Sequence, residues 1–272
     1  MFARYLVFLM MLLWCQEVWA TNWCNDANIG VCSPMHINQS PILDLSVNGN
    51  NGTLDGSPTY STNSLGSNTS GSWSFSGSND VNYGNHTVFQ SDLGSTGVIS
   101  IVARVSFSSS SITTNGQRTW IVTKGNSNNY EYALFATGTG SVANLTGTIW
   151  EAGSANVMNT QGSTSLQTNT NYCVALVYNR ATPVLNVYVN GVQDGTSSSA
   201  TGTSGANTSN LYIGKRQDGG GTQLNGLVNE FAIFQRALLS TEVASICSNS
   251  LIGTNPSSIV QGKNFIQGTL IN

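Results

Sequence analysis

Ile99-Ser100-Ile101-Val102-Ala103-Arg104-Val105-Ser106-Phe107 decides the fold. Ile99, Ile101, Ala103, Val105 and Phe107 alternate with smaller or polar residues, apart from Val102, and a period of two is the mark of a strand with one buried face. Working outward, Trp73 and Phe75 alternate with serines, and Trp120 to Thr123, Tyr130 to Ala136 and Leu145 to Glu151 continue the pattern. The last two are expected to form a hairpin through the reversal around Gly138 and Gly140. Cys173 to Tyr178 is an apolar run. Leu185 to Val189 leads into Asn190-Gly191, a pair suited to the positive φ angles of a tight hairpin turn. Leu211 to Gly214 and Leu227 to Phe234 add two more strands, and Pro41 to Leu45 is a further apolar run. Asn48-Gly49, Asn51-Gly52 and Asp55-Gly56 mark reversals. One helix is expected, from Thr241 to about Ser248, with Ser240 as N-cap and Glu242 in its first turn. Ten or more short strands and one helical stub predict an all-β sandwich or barrel rather than an α/β fold.

Met1 to Ala20 has the form of a secretory signal peptide: Arg4, an apolar stretch from Tyr5 to Trp14, and a cleavage site ending at Ala20. The stretch is short for a bilayer span, so no stable membrane insertion is expected once it is removed. Residues 21–40 form a Cys-bounded segment, 41–250 the sandwich, and 251–272 a tail or an added edge strand. Charged residues make up 8% of the chain, with a net charge of −3. So uncharged a chain lacks the basic footprint that nucleic acid requires. Removal of the leader leaves Cys24, Cys32, Cys173 and Cys247, an even number that suits disulfides in an exported protein. Three pairings are open; Cys24 with Cys32 and Cys173 with Cys247 is the favoured one, with Cys173 as a buried free thiol the rival reading. His36 and His86 are the only histidines, and no C-x-x-C accompanies them, which argues against zinc. Six N-x-Ser/Thr sequons fall at Asn38, Asn51, Asn68, Asn85, Asn144 and Asn207.

Five stretches in order resemble the laminin-G-like jelly-roll domains of the concanavalin A-like superfamily. They are Asp44 to Leu54, Ser72 to Asp80, Val187 to Gly191, Leu211 to Gly214, and Leu224 to Phe234 followed by Arg236-Ala237-Leu238. The chain departs from the family's pattern at Asn171 and Cys173, where Trp and His are frequent, and at Asn229, where Asp is frequent. The resemblance implies a jelly-roll sandwich and a role in binding a glycan or another cell-surface ligand. It also implies two places for calcium, an ion that takes hard oxygen ligands: one joining Asp44 to Glu230 if the first and last strands are neighbours, the other at Asn79 and Asp80.

Hydrolases on this scaffold place carboxylates at alternate positions of one strand. No such string occurs here, and Glu131 and Glu151, on the two arms of the expected hairpin, are the one pair able to meet. His86 and Asp92 lack the G-x-S-x-G elbow of a serine hydrolase. No catalytic residue is therefore assigned. Trp120, Tyr130, Tyr132 and Trp150, with Glu131 and Glu151, are the candidate glycan platform, since aromatic rings stack on sugars while carboxylates take hydroxyls. The reading is a secreted non-catalytic binding module; its rivals are a glycoside hydrolase or polysaccharide lyase and a structural component of a matrix or virion surface.

Overall fold

The computed structural model describes residues 21–66, 69–90, 97–108, 110–126, 129–150, 157–198 and 207–252. Two antiparallel sheets face one another. The eight-stranded sheet contains β1 (Ile29–Ser33), β3 (Thr59–Ser61), β4 (Ser72–Ser76), β6 (Val98–Phe107), β11 (Asn171–Asn179), β12 (Val184–Val189), β13 (Val192–Ser198) and β15 (Asn225–Phe234). Its order is β13-β12-β11-β6-β15-β4-β3, with β1 also on β15. The seven-stranded sheet contains β2 (Thr53–Asp55), β5 (Asp80–Gly84), β7 (Arg118–Asn126), β8 (Asn129–Gly138), β9 (Ala143–Trp150), β10 (Val157–Gln161) and β14 (Leu211–Ile213), in the order β10-β9-β8-β7-β14-β5-β2. This is the two-sheet antiparallel jelly-roll sandwich that the resemblance implies, and it settles the choice between sandwich and barrel that the strand periodicity leaves open.

Side chains explain the layering. Ile99, Ile101, Ala103, Val105 and Phe107 of β6 all enter the core between the sheets, with Trp73 and Phe75 of β4 and Leu134 and Leu145 of the facing sheet. Val102, which breaks the alternation, points the other way. It lies in a second apolar cluster on the outer face of the eight-stranded sheet, with Cys173, Ala175, Val177, Ala232 and Phe234 beneath Val243 and Ile246 of the helix α1 (Ser240–Ser248). Both disulfides, Cys24–Cys32 and Cys173–Cys247, belong to this second layer.

The turn at Asn190-Gly191 has φ of 51° and 81° and joins Val189 to Val192, as the Asn-Gly pair predicts. Other expectations shift. The N-cap of α1 is Leu239, not Ser240, because the Glu242 carboxylate takes the Leu239 N–H at 2.8 Å and is itself held by Arg236. Ile42 makes only an isolated bridge to Gly52, so 41–45 is not a strand. Residues 29–33, placed outside the sandwich by the sequence, pair with the C-terminal half of β15, from Ile29↔Phe234 to Ser33↔Phe231. The expected leader, residues 1–20, and 253–272 of the tail lie outside the described residues.

Candidate functional site

Where α1 stops covering the eight-stranded sheet, the outward residues change from apolar to hydroxyl-bearing. Thr59, Ser74, Leu227, Ser106 and Asn171 lie directly opposite one another on β3, β4, β15, β6 and β11, forming one row across five strands. Their alternation with Trp73, Phe75, Val105, Phe107 and Val228, which enter the core, turns this row outward. A cleft of about 490 Å³ opens over it, lined by ten residues including Ser61, Ser74, Ser106, Ser108, Asn169 and Asn171, with Leu227 in its floor and no charged side chain. Among the described residues, the hydroxyls of Ser74, Ser106 and Ser108 have no protein hydrogen-bond partner, so they are available to a ligand. Asn169 sits at the rim with φ of 56°, its N–H on the Phe107 carbonyl at 2.7 Å. Neutral hydroxyls and carboxamides both donate and accept, which suits an uncharged polyhydroxylated ligand.

The residues expected to bind are dispersed. Trp120 is 1% exposed: its Nε1–H donates to the Gly220 carbonyl at 2.7 Å, and Arg216 lies over its ring. Tyr132 is turned into the core, its hydroxyl donating to the Phe89 carbonyl at 2.8 Å. Trp150 is half-buried on the outer face of the seven-stranded sheet, packed on the cluster of Trp120, Ala133 and Phe135. The Tyr130 side chain and Glu151 lie outside the described residues.

Glu131 is an extra residue in β8. Lys124 faces Tyr132 and Gly125 faces Tyr130, so a bulge at Glu131 re-aims its side chain. Its Oε2 lies 3.3 Å from the Lys124 ammonium, and both side chains are wholly buried. The hairpin of β8 and β9 forms as expected, but Tyr132↔Ile149 sets Trp150, not Glu151, across from Glu131 when the register is continued. A buried carboxylate held by a lysine is no partner for a second carboxylate across a sugar.

The candidate calcium ligands are each engaged by protein donors or cations. Asp44 Oδ1 accepts the N–H groups of Cys32 and Ser46, both at 2.9 Å, and its Oδ2 accepts the Ser46 hydroxyl and the Asn50 N–H, also at 2.9 Å. A carboxylate whose lone pairs already accept from four donors has them turned to N–H and O–H groups rather than to a cation. Glu230 pairs with Arg104 at 2.7 Å and accepts the Ser250 hydroxyl and the Leu251 N–H. Burial raises the Glu230 pKa while Arg104 opposes the rise. Asn79 closes a turn by accepting the Ser76 N–H at 3.0 Å. Asp80 meets Lys215 at 2.8 Å, and burial raises its pKa against the pull of that lysine. Among the described residues no group of three or more His, Cys, Asp or Glu could hold a metal. These residues do not fit a calcium ion.

The serine cleft was missed because serines on a strand look like ordinary solvated positions. The signal was the alternation of Ser72, Ser74 and Ser76 with Trp73 and Phe75, which shows an outward row of hydroxyls but not which strands lie beside it.

The Laminin_G_3 family model, of the concanavalin A-like lectin/glucanases superfamily, matches residues 82–244. No curated protein matches the chain. Among solved structures the chain is similar to the binding domain of Paraclostridial Mosquitocidal Protein 1, at 16% identity and a TM-score of 0.62 over 81% of this chain and 52% of that one. It is similar to the binding domain of botulinum neurotoxin serotype C1, at 14% identity and a TM-score of 0.59 over 82% and 52%. It is also similar to domain 4 of AbnA, a GH43 extracellular arabinanase from Geobacillus stearothermophilus solved in complex with arabinotriose, at 15% identity and a TM-score of 0.56 over 81% and 98%. The chain thus spans about half the length of the two toxin domains and almost all of the arabinanase domain. At these identities the likeness is one of fold.

Proposed function

The chain belongs to the concanavalin A-like lectin/glucanases superfamily, and from that premise we propose that it is a secreted, non-catalytic module that binds a cell-surface or matrix glycan in the serine-lined cleft. The observation that carries the reading is the row of unpartnered hydroxyls on an uncharged floor. Leu227 supplies an apolar surface for a sugar face, and it stands between Ser74 and Ser106, whose strands lie two pitches, about 10 Å, apart. The arabinotriose complex of the similar arabinanase domain supports a sugar ligand. Two disulfides suit an oxidising compartment, and no described helix is long and apolar enough to cross a membrane. The absence of turnover rests on Glu131, the best carboxylate candidate, being buried against Lys124.

A panel of neutral and anionic glycans, titrated calorimetrically against the wild type and Ser106→Trp, tests this. Neutral glycans should bind with heat and without release of reducing sugar. The variant, its fold checked by circular dichroism, should bind at least tenfold more weakly because the indole fills the cleft. Chelator should leave the affinity unchanged, since the acidic groups are committed elsewhere. Full binding by Ser106→Trp would remove the cleft from the reading, and sugar release would remove the word non-catalytic.

A further inference from the structure

Lys124, Glu131 and Asn207 are brought together where β7 and the bulge of β8 pass under the segment entering β14. The Lys124 Nζ lies 3.3 Å from Glu131 Oε2, 3.3 Å from Asn207 Oδ1, 3.1 Å from the Asn207 carbonyl, 2.8 Å from the Ser209 carbonyl and 3.0 Å from Asn85 Oδ1. The lysine and glutamate side chains are wholly buried, and Asn207 is 6% exposed. The Asn207 N–H approaches Glu131 Oε2 at 3.5 Å, so carboxylate, amine and carboxamide share one buried space. A fully buried ion pair is a weak source of stability, because desolvation offsets the attraction. Placed against a carboxamide, it has the makings of a reaction centre.

We propose that Lys124 and Asn207 become joined by an isopeptide bond, formed within the folded chain with Glu131 as the proton carrier. Glu131 takes one proton from the ammonium, leaving a neutral amine and a carboxylic acid. Burial favours this transfer, as it lowers the Lys124 pKa against the opposing effect of Glu131. The Nζ lone pair attacks Asn207 Cγ, and negative charge gathers on Oδ1. That oxygen already accepts the Ser209 N–H at 3.0 Å, a fixed donor of the kind that stabilises a developing oxyanion. Glu131 then passes a proton to Nδ2, the Cγ–Nδ2 bond breaks and ammonia leaves. The amine's second proton passes to the carboxylate, which ends protonated as it was when attack began. One C–N bond forms and one breaks, with no oxidant or added reactant. Ser209 O and Asn85 Oδ1 orient the amine throughout, and proximity supplies the rate. The product ties β7 to the entry of β14 across 83 positions of chain.

Intact mass spectrometry of the purified full chain, its disulfides reduced and its thiols alkylated, tests this directly. The wild type should be lighter than its sequence requires by one ammonia, and a tryptic digest should contain one branched peptide uniting Lys124 with Asn207. Glu131→Gln and Lys124→Arg should have their full sequence masses and lack that peptide. A wild-type chain of full mass overturns the proposal, as does an ammonia loss that maps to an Asn-Gly succinimide or to a bond with Asn85. A cross-link that persists in Glu131→Gln overturns the role given to the carboxylate. The wild-type measurement decides whether or not the variants fold.

Discussion

Arg104 closes the boundary between the covered and open halves of the outer sheet face. Its Nε donates to Glu230 at 2.7 Å, and its Nη2 donates to the carbonyls of Ile246, Cys247 and Asn249, the C-terminal end of α1. One guanidinium therefore neutralises a buried carboxylate and caps helix carbonyls that would otherwise be orphaned. Arg104→Met should cost about 3–5 kcal/mol, since Glu230 would be left charged and unpaired, and urea unfolding at neutral pH measures it. His36 lies beside this pair, 2% exposed, with neither ring nitrogen hydrogen-bonded and Nδ1 3.9 Å from Glu230 Oε1. Burial depresses its pKa from 6.5 to about 4. Protons therefore bind the unfolded chain first, so this contribution to stability is intact above pH 6.5 and is lost as pH falls toward 4. Its size is at most about 3 kcal/mol. Glu230, whose pKa burial raises, lies beside the ring and is itself paired with Arg104, so the comparison needed is wild type against His36→Leu. The stability of the wild type relative to His36→Leu, from urea midpoints, should fall between pH 7 and pH 4. An unchanged difference would mean that His36 does not titrate in this window.

Elements differ in how they are held. β6 and β11 each have a face in both apolar layers, as Val105 and Val174 enter the central core and Val102 and Cys173 the outer one. The helix has no such support and depends on Val243, Ile246, the Arg104 cap and the Cys173–Cys247 bridge. That bridge closes 74 positions of chain and Cys24–Cys32 only 8. Loop-closure entropy then makes the longer bridge worth about 2 kcal/mol more. The paired alanine variant Cys173→Ala/Cys247→Ala should accordingly lose more stability in urea unfolding than Cys24→Ala/Cys32→Ala, and equal losses would show that closure entropy does not dominate. The long strands were legible because each alternates over many residues; of the short ones, β4 and β14 were read from their apolar residues, while β1, β2, β3, β5 and β10 were not, since three to five residues give few alternations to stand out. Ser240 looked like the N-cap because hydroxyls favour that position, but the grip of Arg236 on Glu242 moved the helix start by one residue.

At the scale of the molecule, one face of the eight-stranded sheet is divided between two tasks. Half is sealed by the Cys-bounded segment and α1, and half is left as a neutral cleft. The seven-stranded sheet instead covers its outward Trp120 with the segment around Gly220 and Arg216. This is why Trp120 and Tyr132, read as part of a platform, are inside, while the proposed binding surface is built from serines.

Alternation along β6, the Asn190-Gly191 turn and the even cysteine count belong to the sequence, because period, positive φ and oxidising context are local or compositional properties. They were enough for the all-β class and for disulfides in general, while the pairing of Cys173 with Cys247 over a free Cys173 was decided by the structure. Only the tertiary structure could decide that Val102 and Arg104 serve a second layer, that a bulge turns Glu131 onto Lys124, and that Ser74, Ser106 and Asn171 share a row. Each of these is a matter of register between strands far apart in the chain, and a shift of one residue reverses which face a side chain occupies.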